Sequence, residues 1–119
     1  KHYLSAEQIG EMSRQGMVIG SHTDNHPVMS RLSRAEQSLE LEVSFDYLTG
    51  CIGYVPKTYC HPYGGFHSFS ADTVDLLAER DVTYSFNVES RDIKASDWLL
   101  SPQHLPRYDC NEFPHGAVR

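Results

Sequence analysis

An α/β fold with a parallel sheet is predicted by three features of the chain. Helical and extended patterns alternate along it, capping boxes mark two of the helix starts, and no internal repeat or low-complexity linker interrupts the alternation. Strands separated by helices imply right-handed crossovers between parallel neighbours. The 119 residues, 39% hydrophobic and 22% charged, suffice for one core and so for one domain or a piece of one.

The elements follow in order. Ser5 opens Ser-Ala-Glu-Gln, a capping box with Gln8, and Ile9 with Met12 supplies the apolar spacing before Gly16 ends the helix. Met17 to Ile19 reads as a short buried strand. A second capping box, Ser33 to Glu36, begins a longer helix with Leu39, Val43 and Tyr47 on one face and Leu41, Phe45 and Leu48 on the adjoining one, with Gly50 as its stop. Thr58 to His61 is a brief extended segment running into Pro62-Tyr63-Gly64-Gly65, a loop by composition. Ser70 caps a third helix carrying Val74, Leu77 and Ala78. Val82 to Val88, rich in β-branched and aromatic residues, is the clearest strand, and Leu105 to Tyr108 is a candidate last one.

Sixteen acids against ten bases give a net charge of -6, which argues against nucleic acid as a partner, since a phosphate backbone demands clustered Lys and Arg. A sugar polymer suits this surface better. No apolar run approaches the roughly 20 residues that span a bilayer, so no membrane crossing is expected. Cys51, Cys60 and Cys110 show neither paired nor C-x-x-C spacing, which leaves the redox compartment open.

Parallel α/β folds gather their chemistry at the C-terminal ends of strands, here the loops after Ile19, His61 and Val88. The first reads Gly20-Ser21-His22-Thr23-Asp24-Asn25-His26-Pro27. Two histidines four apart on a helical turn face the same way and can chelate one divalent ion, a carboxylate from elsewhere completing the set. Taken alone, the pair equally fits exposed turn histidines. In Tyr59-Cys60-His61-Pro62-Tyr63-Gly64-Gly65, proline fixes the backbone and glycine permits close approach, so the loop can offer an N–H to a developing oxyanion or serve as a plain turn.

Together these loops resemble the polysaccharide deacetylase family, carbohydrate esterase family 4, also known as the NodB homology domain. Its His-Ser/Thr-x-x-His motif is matched by His22, Thr23 and His26, and its Pro-Tyr-Gly motif by Pro62, Tyr63 and Gly64; the likeness covers segment 1–89. The resemblance implies a distorted (β/α) barrel that hydrolyses N-acetyl groups from an amino-sugar glycan with a divalent metal, zinc foremost. It assigns His22 and His26 as metal ligands and Thr23 as the brace of their loop. Pro62 and Tyr63 would meet substrate, and the Tyr63 backbone N–H would hold the oxyanion.

Some family features are missing. The Asp-Asp motif that supplies base and third ligand occurs nowhere, and Cys60 stands where an arginine often opens the Pro-Tyr-Gly motif. Glu89-Ser90-Arg91-Asp92 loosely resembles the family's acidic motif, and solvated charge fits it as well. No Leu-x-His motif is found near His104 or His115 to supply the general acid, while His61 and His67 read as solvated loop histidines. Residues 1–119 are therefore expected to be a single, N-terminally truncated deacetylase domain, with a non-catalytic carbohydrate-binding relative as the alternative. Apolar surface left open by truncation would favour self-association.

Overall fold

The computed structural model describes residues 3–109; Cys110 and His115 lie outside the described residues. Helix α1 (Ala6–Arg14) starts at a complete Ser5–Gln8 capping box. It closes with Gly16 at φ 95° and bonds from Gly16 N to Ser13 O and Met17 N to Met12 O, the double bond of a Schellman end. Helix α2 (Arg34–Ile52) starts at the equally complete Ser33–Glu36 box. It runs through the expected stop at Gly50 to Gly53, which takes the left-handed conformation at φ 85°. Gly50 costs the helix only its intrinsic propensity, about 1 kcal/mol, and the turn that ends it needs the positive φ of Gly53.

Strand β1 (Thr58–Cys60) pairs in parallel with β2 (Tyr84–Phe86), in the register Thr58–Tyr84, Tyr59–Ser85 and Cys60–Phe86. Helix α3 (Ala71–Glu79) crosses between them. Ser70 is its N-cap, as expected, and the Ser70 N–H donates to the Thr73 hydroxyl at 3.1 Å. One residue on each side extends the sheet by a single parallel bridge, Ser21 beside Tyr59 and Leu105 beside Phe86. Val82 to Val88 thus holds a shorter strand than its composition suggests, and Leu105 to Tyr108 contributes only the Leu105 bridge.

The expected buried strand at Met17 to Ile19 does not form: Met17 is 56% and Val18 80% exposed. A strand needs a partner, and this segment reaches β1 only through Ser21 N to Thr58 O and Cys60 N to Ser21 O. A fourth helix, α4 (Ala95–Leu100), lies between β2 and Leu105, where no element was read from the sequence.

Met29, Leu41, Phe45, Tyr59, Leu76, Leu77 and Val82 form the core beneath α2 and α3. The face bearing Leu41 and Phe45 is thus the buried one, while Leu39, Val43 and Tyr47 remain exposed. Gln37 is buried with them because it is satisfied: its amide nitrogen donates to Leu32 O, and its carbonyl receives the Thr73 hydroxyl. Helix α1 lies close against the end of α2, where a Cβ on Gly10 would stand 2.7 Å from Cys51 O.

Candidate functional site

The loop after Gly20 begins where the chain touches β1 so closely that a Cβ on Gly20 would sit 2.4 Å from the Thr58 hydroxyl. It then turns outward on left-handed residues, Thr23 at φ 68° and His26 at φ 55°. The histidines therefore share a strained loop, not the helical turn expected from their spacing. Positive φ at a β-branched residue costs about 1–3 kcal/mol and persists only where its surroundings enforce it.

Two sets of hydrogen bonds do so. The Thr23 hydroxyl donates to His22 O and accepts from His26 N at 3.0 Å. Ser44 of α2 gives its single hydroxyl proton to Leu41 O at 3.1 Å, so the 2.7 Å contact with Ser21 has Ser21 as donor. Ser21 Oγ then accepts from Thr23 N at 3.3 Å. Glu40, one turn before Ser44, receives Asp24 N at 3.0 Å, Asn25 N at 2.9 Å and Asn25 Nδ2 at 2.7 Å.

His22 Nδ1 lies 2.7 Å from the carbonyl of Cys60. A carbonyl only accepts, so Nδ1 carries the proton and the Nε2 lone pair is left for an electrophile. His26 presents its ring to His22 edge to face, 4.7 Å between centroids, and to Tyr63 at 4.6 Å. Two loops distant in sequence thus bring His22, His26 and Tyr63 together. A cleft of about 300 Å³, lined by Thr23, Asp24, Tyr47 and Leu48, opens beside His22. Two imidazoles, one with its tautomer fixed, are ligands of the kind a borderline ion such as zinc takes. Among the described residues no group of three or more His, Cys, Asp or Glu could hold a metal.

In the second loop Pro62, expected with Tyr63 to meet substrate, is fully buried, while Tyr63 is 57% exposed. Tyr63 at φ 67° and Gly64 at φ 80° are both left-handed. A Cβ on Gly64 would meet Val88 Cγ1 at 2.3 Å, and Gly64 O accepts from Val88 N at 3.2 Å, which ties the turn to the end of β2. The Tyr63 N–H makes no hydrogen bond among the described residues.

His61 is not the solvated histidine its loop position suggested. It is 0% exposed, stacked on Phe69 at 3.9 Å between centroids, and its Nε2 donates to Gln103 O at 2.7 Å. Its Nδ1 has no partner among the described residues. Burial brings its pKa down to about 4, against the smaller upward effect of the Gln103 bond. His67 is exposed, as expected.

The acidic segment after β2 is a structural ion cluster. Arg91 holds Asp97 through two bonds of 2.8 and 2.7 Å and reaches Glu89 at 3.1 Å. Asp97 in turn accepts from Lys94 N at the start of α4. Its hydrogen bonds to Arg91, then to the Lys94 backbone, hold the carboxyl well below the usual range. Glu40 and Ser44, which shape the histidine loop, stood out in the sequence only as polar positions of an amphipathic helix.

A family model for polysaccharide deacetylase matches residues 1–85. The chain belongs to that family. YlxY, an uncharacterized protein of Bacillus subtilis, is 31% identical over 83 residues, 69% of the chain and 25% of YlxY. Among solved structures, the Streptococcus pyogenes deacetylase PplD in complex with acetate superposes with a TM-score of 0.78 at 24% identity, over 88% of the chain and 44% of PplD. A carbohydrate esterase family 4 pseudoenzyme from Bacillus anthracis superposes with a TM-score of 0.60 at 16% identity, over 67% of the chain and 27% of that protein. These likenesses establish the fold, and this deacetylase-family chain is part of a NodB-type (β/α) barrel. The chain spans about a quarter of YlxY and less than half of PplD. No helix among the described residues is long and apolar enough to cross a membrane.

Proposed function

We propose that this chain carries part of the metal site of an enzyme that removes N-acetyl groups from an amino-sugar glycan. The observation behind this reading is the Nδ1 bond of His22 to Cys60 O, which leaves Nε2 as a lone-pair donor beside His26 and Tyr63. His22 and His26 would hold a divalent ion, zinc in the first instance, which when bound polarises the acetamido carbonyl and activates the attacking water. The chain's own contribution is positional. Thr23 fixes the histidine backbone, His26 packs against Tyr63, and the left-handed Tyr63 offers its N–H to the oxygen that gains charge at the tetrahedral stage. Tyr63 also presents an exposed ring on which a sugar can rest.

The test is metal content by plasma mass spectrometry together with acetate release from N-acetylglucosamine oligomers, with His22→Ala as control. Bound zinc in the parent, lost in the variant, and acetate release are the expected results; equal and negligible metal in both would overturn the reading. A second reading, a carbohydrate-binding relative without catalysis, draws support from the superposition on a family pseudoenzyme. It predicts oligomer binding without acetate release.

A further inference from the structure

We infer that Glu40 is the positioning residue that holds the metal-binding loop in shape, with Ser44 as its secondary anchor; this rests on the metal reading of His22 and His26. A turn with left-handed residues at both Thr23 and His26 does not form on intrinsic preference. The Thr23 hydroxyl bonds are internal to the loop and would travel with it wherever it moved. What fixes the loop to the fold must come from outside: β1 holds its start through Ser21 and His22, and two residues one turn apart on α2 hold the stretch on either side of His22. Glu40 receives three donors from Asp24 and Asn25, midway between the histidines, and Ser44 meets Ser21 immediately before His22.

The bonds to Glu40 are charge-assisted, of the stronger class, and two of them take backbone N–H groups that a tight turn leaves without internal partners. Leu41 and Phe45, beside these residues on the same helix, are fully buried, so the carboxylate sits on a rigid support. Glu40 binds neither imidazole. It acts on the ion through the backbone that sets the 4.7 Å separation of the two rings, in the manner of outer-shell groups whose removal costs about 10- to 100-fold in metal affinity.

Substitutions at Glu40 sort the possibilities because the three bonds differ in what they require. Glu40→Gln keeps an oxygen for the two backbone donors, whereas Glu40→Ala loses all three bonds and Asn25→Ala only one. Zinc affinity of the full chain, measured by competition with a chromophoric chelator, is expected to fall at least about 10-fold in Glu40→Ala and only a few-fold in Glu40→Gln and Asn25→Ala. Amide NMR supplies a readout independent of metal: Asp24 and Asn25 N–H resonances should move upfield and exchange faster in Glu40→Ala, with less change in Glu40→Gln. Parent and Glu40→Ala binding zinc equally would overturn the inference while leaving the metal reading intact. A parent that binds no zinc, with His22→Ala identical to it, would overturn both. Equal loss in Glu40→Gln and Glu40→Ala, with amide resonances unmoved, would reduce Glu40 to general packing and also overturn the inference.

Discussion

His22 lies in a loop and Cys60 ends β1, yet the imidazole of one and the carbonyl of the other meet at 2.7 Å, and that bond determines which ring nitrogen keeps a free lone pair. The backbone of β1's last residue thereby serves as the group that sets the tautomer. Proton-coupled nitrogen NMR is expected to show His22 protonated at Nδ1 at neutral pH. Addition of zinc should then shift Nε2 with Nδ1 still protonated, whereas a proton at Nε2 would contradict the arrangement.

Gly64 cannot accept a side chain. Gly64→Ala places a Cβ against Val88 Cγ1, at 2.3 Å before relaxation, on a backbone already at φ 80°. Strain and overpacking together should cost about 2–4 kcal/mol, read as a lowered urea midpoint with an unchanged m-value. Val88→Ala in the same chain should recover only part of the loss, because it relieves the clash and not the torsion. Full recovery would mean that torsion contributes nothing.

His61 makes the fold sensitive to mild acid. The ordinary imidazole pKa of 6.5 is depressed to about 4 by burial, so between these values the unfolded chain binds more protons than the folded one. Its contribution is complete above about pH 6.5 and is lost as pH falls toward 4, about 3 kcal/mol in all. Urea titrations at pH 7 and pH 4.5 should show this loss. His61→Gln, which retains a donor for Gln103 O, should flatten the profile, and an equally steep profile in that variant would place the sensitivity elsewhere.

Arg91 and Asp97 account for a separate, more acidic loss. The Asp97 carboxyl is depressed by its bonds to Arg91 and the Lys94 backbone, so its contribution is present above the ordinary carboxylate pKa and fades only as pH falls below it. With its side chain 10% exposed, the carboxylate loses its main partner in Arg91→Ala. That variant should lower Tm by several degrees at neutral pH and less at pH 3, where its unpartnered Asp97 can take up a proton that the paired carboxylate of the parent still resists. A Tm decrement independent of pH would show that the ion pair is not its source.

The outer face of α2 bears on association. Leu39, Val43 and Tyr47 are exposed along it, and Met17 and Val18 are exposed beside the first strand-like segment. We propose that this exposed apolar face favours self-association. Sedimentation velocity should show concentration-dependent oligomers that diminish in Val43→Lys, while a monomer at all concentrations would show that the face is tolerated in water.

What the sequence revealed followed the range of the interactions involved. The capping boxes at Ser5 and Ser33 are complete within four residues, and both helices begin where those residues place them. Gly50 was read as the stop of α2, and only the backbone turn shows that Gly53 ends it. Strand lengths were overestimated at Met17 and Val82 because pairing depends on residues far along the chain. Within the site, His22, His26 and Tyr63 were legible through the family motifs. The burial of His61 was not, because its partners Phe69 and Gln103 lie in other segments. Glu40 escaped notice for a related reason: its donors are backbone N–H groups, which no residue type announces.

The anchoring of the histidine loop on Glu40 and Ser44 also bears on how such a protein can vary. The helix that fills the core with Leu41 and Phe45 presents, at the residue just before each of them, the mould on which the imidazoles are set. If the proposed metal reading holds, a core substitution that shifts α2 would register as altered ion affinity before it registered as lost stability. Drift in the hydrophobic interior and drift in the chemistry of the rim are mechanically the same event in this fold.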